Sequence, residues 1–402
     1  MRAALNTWLR VGLLGLAFLV LAGQGLAQSG TGTGADKKDE FGTPITGGKE
    51  KPGLQSIALR LGIYQKDDAG SGNSAGNPFL DEDLTVIEPV MIFDWGLDER
   101  SAITLTGSFD WVSSASIDRL DDKTRYPASQ QSGASGDYYV GVDTAYRYHW
   151  DDFTRVGAHL DISKEYDYLS IGLGGDLAWS SPDGNTNQSL ALNGYFDDVT
   201  LIRFNGVEDG NDSRTSLATT YRYDRVLSGS SQMQLGGTLS LQSGFLSTPY
   251  NGVFIESGGT ATEVGEVLPD SRTRMSLFGS YRRWFYEGGA GEIASRLYND
   301  DWGITGISLE PRWYQKVGDS LLMRFRYRYY DQSGSDYSGR FAASEKYMTQ
   351  DSDLAEFDSH TFGMRLIGYR DGRQGWDAGI DYVMRSDELD HIIASFGYLW
   401  TF

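Results

Sequence analysis

The chain has 402 residues, 40 % apolar and 22 % charged, which is too polar for a bundle of membrane helices. It carries no cysteine, excluding disulfides, thiolate metal sites and lipid attachment at cysteine, and its formal charge of −20 argues against a nucleic-acid partner. Aromatic residues make up 13 % and glycine numbers 51, a mix that favours strands and tight turns. At the N-terminus, Arg2 and Arg10 flank an apolar run over residues 11–23 that ends at the small residues Gly25 and Ala27. This pattern predicts a secretory signal over residues 1–27, with a retained membrane anchor as the alternative. Losing Arg2 and Arg10 takes the charge from −20 to −22. Residues 28–54 are Gly, Thr and charge without periodicity, and are expected to form a flexible periplasmic tail.

From Gln55 the recurring signal is alternation with period two. "IALRLGI" sets Ile57, Leu59, Leu61 and Ile63 against Arg60 and Gly62. "TRVGAHLDIS" sets Val156, Ala158, Leu160 and Ile162 against Arg155, His159 and Asp161. "SLLMRFRYRYY" sets Leu321, Met323, Phe325, Tyr327 and Tyr329 against Arg324, Arg326 and Arg328. Strands apolar on one face and charged on the other border two different solvents. Sixteen strands are predicted, at 55–66, 83–95, 101–113, 138–150, 153–164, 168–180, 188–197, 213–226, 231–245, 271–286, 291–299, 303–316, 320–331, 358–370, 375–386 and 391–402. The strands at 291–299 and 358–370 alternate poorly, so fourteen is the alternative count.

The connections sort by length. Joins such as 96–100, 151–152, 227–230 and 317–319 are short, whereas 67–82, 114–137, 198–212, 246–270 and 332–357 are long. Long and short alternate, as in an up-and-down barrel with every long loop at one end. Trp95, Tyr148, Trp150, Phe153, Trp179, Trp284, Phe285, Trp376 and Trp400 fall near the short turns and predict an aromatic girdle there. Tyr64, Tyr139, Tyr166, Tyr168, Trp302, Tyr329 and Tyr330 are expected to form the opposite girdle. The expected fold is therefore all-β: a transmembrane antiparallel β-barrel over residues 55–402, in the outer membrane of a Gram-negative bacterium.

The last strand carries Phe396, Tyr398, Trp400 and Phe402 on one face. It resembles the assembly signal of bacterial outer-membrane proteins, which implies recognition by the barrel-assembly machinery. The stretches "NPFLDED" (77–83), "SKEYDYLS" (163–170), "LPDSRTR" (268–274), "YNDDWGI" (298–304) and "FRYRYYDQSGSDY" (325–337) resemble those of a family of outer-membrane β-barrels known only as a domain of unknown function. That likeness runs from about residue 55 to the C-terminus. It implies the fold and no activity, with a hint of envelope redox chemistry from neighbouring genes for a flavin-attaching enzyme.

Chemistry is expected on the lumen face. Arg324, Arg326 and Arg328 share one strand, Glu310 and Arg312 the preceding one, and Arg272 and Arg274 an earlier one. Two readings stand: a basic strip that guides anions through a pore, or arginine–carboxylate ladders that brace the wall. The short outer turns place Glu165 and Asp167, and Asp300, Asp301 and Trp302, at the rim, either to brace it or to bind a ligand. Asp209, Asn211 and Asp212 lack the spacing of a calcium loop, so no metal and no cofactor are implied. Four histidines have no nucleophile beside them, and no enzyme is expected. The 246–270 loop is the candidate to fold inward. The expected function is a porin-like channel for passive diffusion of small hydrophilic solutes, with a non-conducting scaffold or sheath for an envelope partner as the alternative. Lipids and lipopolysaccharide of the outer membrane are the expected neighbours, and a homotrimer or a periplasmic partner is compatible with the pattern.

Overall fold

The computed structural model describes residues 49–67, 83–114, 124, 127–129, 137–370 and 373–402. The predicted signal, most of the tail, and "NPFLDED" up to residue 82 lie outside the described residues. Sixteen antiparallel strands close into one barrel. In chain order they are β1 (Gly53–Asp67), β2 (Leu84–Gly96), β3 (Ser101–Ser114), β4 (Asp137–His149), β5 (Thr154–Lys164), β6 (Tyr168–Ser180), β7 (Thr186–Ile202), β8 (Glu208–Ser228) and β9 (Ser231–Gly244). A separate hairpin of β10 (Gly252–Ser257) and β11 (Thr260–Gly265) follows. The barrel resumes with β12 (Ser271–Tyr286), β13 (Gly289–Asp300), β14 (Thr305–Val317), β15 (Leu321–Gln332), β16 (Phe357–Arg370), β17 (Arg373–Arg385) and β18 (Asp390–Thr401).

Closure comes from β18 pairing with β1, with Ile57 opposite Trp400, Leu59 opposite Tyr398 and Leu61 opposite Phe396. The apolar faces of both strands thus meet on the outside, and no strand edge of the ring is left unpaired. Leu59, Leu61, Leu173, Leu192, Leu277 and Phe396 are among the large apolar side chains exposed on that outer surface. Charged side chains alternate with them and point inward, as the period of two requires.

Three expectations are corrected or extended. β7 and β8 extend past their predicted ends and meet across a turn of only residues 203–207. In that extension Val199 and Leu201 face inward and pack with Tyr168 and Phe245, so the apolar-out rule that exposed the rest of the strand fails there. Second, the 246–270 segment contains the β10–β11 hairpin, which packs Val253 against Phe341 and Met348 of the 333–356 loop. Both this segment and the 333–356 loop reach inward-facing side chains: Leu246 and Leu268 pack with Trp302, Ile304 and Leu354. Gln332 Nε2 donates to the carbonyls of Asp353 and Ala355, and Arg385 grips Asp353 at 2.7 Å. Third, most of the aromatic residues assigned to the long-loop girdle face the interior. Tyr64 donates to or accepts from His391 at 2.5 Å, Tyr168 and Trp302 are buried, and Tyr330 stacks with Arg328. Tyr64, Tyr168 and Tyr330 share the parity of the inward-facing charged residues of their strands, and their polar tips or cation–π partners lie inside. At the short-turn end the girdle is present, with Trp95, Trp150, Phe153, Phe285, Trp376 and Trp400 exposed.

A charged lumen as the candidate functional site

All seven predicted lumen residues face inward, and the structure separates them into paired and unpaired groups. The paired ones form a chain of ions across β12 to β17. Arg282 contacts Glu292; Arg312 donates to Glu292 and to Glu310, each at 2.5 Å. Arg326 then reaches Glu310 at 3.6 Å and Asp381 at 2.7 Å. Cross-strand register explains the chain, because Arg282 faces Glu292, Glu292 faces Arg312, and Arg312 faces Arg326. The last is a like-charged pair, made tolerable by Glu310 lying between them. Gly363 completes the row: a Cβ there would stand 1.8 Å from Asp381 Oδ1, so only glycine leaves room for the Arg326–Asp381 pair. Arg365 likewise holds Asp377, and Arg272 holds Asp300.

Arg274, Arg296 and Arg328 have no carboxylate within 4.0 Å among the described residues. Arg274 Nε is buried without a hydrogen-bond partner. Arg296 lies over the Phe278 ring at 5.5 Å and Arg328 over Tyr330 at 5.0 Å. Arg296 escaped the sequence reading because Ser295 and Asn299 blur the alternation of its strand. Taking Glu292, Ala294, Arg296, Tyr298 and Asp300 as one face would have found it.

The opposite wall carries the opposite charge. In the ring, β4 lies half a turn from β14 and β5 half a turn from β15. Asp143 on β4 and Asp161 on β5 face each other directly, with His159 at 3.5 Å from Asp161. Asp176 and Asp197 continue the acidic wall, each with one arginine at 3.3 Å. An excess of arginine on one wall and of aspartate on the other sets up a field across the lumen rather than along it.

At the long-loop rim, Asp300 organises its turn. Its Oδ1 accepts from the backbone N–H groups of Trp302 at 3.1 Å and Ile304 at 2.9 Å, and its Oδ2 accepts from Tyr298 at 2.8 Å. Trp302 is buried, donates from Nε1 to the carbonyl of Ser271 at 2.9 Å, and stacks under Arg272 at 4.2 Å. Asp301 accepts from the backbone of Thr273 at 2.9 Å. These contacts tie the rim together. Glu165 and Asp167 are buried in their own three-residue turn between β5 and β6, away from the Asp300 group in the ring. Phe396, Tyr398 and Trp400 lie along the outward face of β18, and the Phe402 N–H donates to the carbonyl of Gln55 at 2.9 Å.

The opposite mouth holds a feature that composition hid. Glu50, placed in the expected flexible tail, is 3 % exposed. It accepts from Arg147 at 2.7 and 3.1 Å and from Gln55 at 2.8 Å, and lies 3.0 Å from His149 Nε2. Arg147 also holds Asp94 at 2.6 Å. The segment lies against Gly96, where a Cβ would stand 2.1 Å from the Lys51 carbonyl oxygen. Burial pushes the Glu50 carboxyl up, but His149, Arg147 and Gln55 outweigh it and leave the group well below the usual carboxylate range.

Among solved structures, the siderophore receptor PirA from Pseudomonas aeruginosa is 9 % identical at a TM-score of 0.44, covering 84 % of this chain and 56 % of that one. A mutant ferric enterobactin receptor (PfeA) from Pseudomonas aeruginosa is 11 % identical at 0.46, covering 84 % and 54 %. CdiB from Acinetobacter baumannii is 8 % identical at 0.45, covering 86 % and 60 %. The chain thus matches little more than half the length of these proteins, and its architecture rests on its own strand pairing. No curated protein is detectably similar in sequence. One family does match, over residues 130–401: the chain belongs to DUF3570, a family of proteins of unknown function built here as an outer-membrane-type β-barrel.

Proposed function

We propose that the protein is a porin-like channel of the Gram-negative outer membrane, for passive diffusion of small hydrophilic solutes. The observation that carries this is the closed ring of sixteen strands with an apolar outside and an ionic inside. At that strand number the side chains of the wall do not by themselves fill the interior, and a charged interior is stable only with water or counter-charge. The outward aromatic band at the short-turn end supports the membrane placement. The barrel-assembly machinery would deliver it, with β18 as the strand that is read.

The test is conductance of the purified barrel in a planar bilayer. Stable, ohmic, long-lived openings are expected, and a barrel silent at all voltages would overturn the reading. A second reading, a scaffold or sheath for an envelope partner, draws support from the Glu50 latch, which fixes where the N-terminal segment leaves the barrel. Co-purification of a periplasmic protein with a silent barrel, lost in Glu50→Gln, would favour it.

A further inference from the structure

We propose that Arg296 and Arg328 form an oxyanion site on the lumen wall, which captures a small anion with two or more oxygens, phosphate or a dicarboxylate. The inference rests on the channel reading for its access route, and names the class of solute that the basic wall receives. Three observations converge on this pair. First, both guanidiniums point inward without a carboxylate within 4.0 Å among the described residues, although the neighbouring Arg312 and Arg326 are paired. Glu310 acts on Arg328 at longer range, but its carboxylate is already held by Arg312 and Arg326. Second, register sets Arg296 on β13 and Arg328 on β15 two strands apart on the same lumen face and one inward position out of line, since Arg296 faces Ser308 and Ser308 faces Tyr330. Two like charges in one neighbourhood of the wall favour an anion between them.

Third, both arginines are half-buried rather than sealed into the wall. Arg296 faces Ser308 across one strand pair, Ser308 faces Tyr330 across the next, and Arg328 faces Thr361. On the strand between the two arginines the inward side chains are Ser308 and Glu310, and Glu310 is already held by Arg312 and Arg326. Each guanidinium carbon lies over a ring, Phe278 at 5.5 Å for Arg296 and Tyr330 at 5.0 Å for Arg328. A guanidinium offers its N–H donors as a planar fork, which suits paired oxygens better than a halide. The wall across the lumen, where Asp143 faces Asp161, offers the same anion no comparable site.

Calorimetry on the detergent-solubilised full chain with inorganic phosphate tests binding without requiring conduction. Wild type is expected to bind saturably, and Arg296→Gln/Arg328→Gln to weaken binding by roughly tenfold or more. Equal binding by both, or no binding by wild type, overturns the site. Competition by succinate would support a general oxyanion site, and indifference to succinate one restricted to phosphate. In bilayers the double variant should lower the anion-to-cation permeability ratio, and an unchanged ratio overturns the site while the channel reading stands. A barrel that binds phosphate yet never conducts overturns the channel reading and leaves the site intact. Folding is checked by heat-modified gel mobility. If the double variant does not fold, Arg328→Gln alone carries the same expectation at smaller size.

Discussion

Glu50 shows how one side chain can reverse the reading of a segment. Its neighbours Lys49, Lys51, Pro52 and Gly53 look like linker, and only the buried contacts to Arg147 and His149 reveal an attachment. Glu50→Gln keeps the shape and removes the charge, leaving Arg147 with Asp94 alone. A loss of about 1–3 kcal/mol is expected, the cost of an under-satisfied buried charged group, read as a lower unfolding midpoint in urea. Trypsin should then cut after Lys49 faster than in wild type. The pH dependence has a definite sign. The Glu50 carboxyl is held below its ordinary value of 4.5, so its contribution is complete above that value. It is lost only as pH falls from there through the depressed value. Protection of this segment against hydrogen exchange should therefore be flat from pH 7 to about 5 and decline under stronger acid.

At the scale of the element, the ion chain across β12 to β17 makes one wall a single charged unit. Glu292 is its pivot, shared by Arg282 and Arg312 and also in contact with Tyr314 at 3.3 Å. Glu292→Gln leaves Arg282 without a carboxylate and Arg312 with Glu310 alone, and a loss of about 3–5 kcal/mol is expected, measured as a fall in the temperature at which the folded gel band disappears. The same chain limits the anion-guiding reading of Arg324, Arg326 and Arg328 as a trio. Arg326 is held by Asp381 and Glu310, while Arg328 has no such carboxylate partner. Every predicted barrel strand is present, because alternation between lipid and water writes itself into each one. The extended ends of β7 and β8 and the β10–β11 hairpin were not legible, since outside the lipid that alternation has no cause. Pairing between the 246–270 and 333–356 segments, as in Val267 with Met348, joins residues far apart in sequence and leaves no local period.

For the whole molecule, the membrane reading turns on which face meets lipid. Leu277 sits mid-strand on β12, 61 % exposed, opposite Leu297. Leu277→Arg should cost about 2–4 kcal/mol if that face lies in hydrocarbon. Ser276→Arg, one residue away on the lumen face, should fold almost as wild type. Refolding yield into lipid vesicles, scored by gel mobility, separates them, and equal yields would argue against a bilayer around this face. The lateral separation of charge is also a property of the ring alone. Asp161 and Arg328 are far apart in the chain and meet across the lumen only because β5 and β15 fall half a turn apart.

The sequence by itself determined that the chain makes a barrel of sixteen or fourteen strands, which face of most strands is apolar, and which end carries the long loops. Each of these follows from a period of two and from turn composition, both of which act over a few residues. Only the tertiary structure decided which arginines are neutralised and which are not, because a salt bridge depends on the register between strands, and sequence alternation is silent on register. It also decided that Tyr64, Tyr168 and Trp302 turn inward rather than into lipid, and that Glu50 is buried. Those outcomes depend on partners brought up by strand pairing: His391 reaches Tyr64 only when the ring closes between β18 and β1, Arg272 reaches Trp302 through the β12–β13 hairpin, and Arg147 reaches Glu50 through the pairing of β1 to β4.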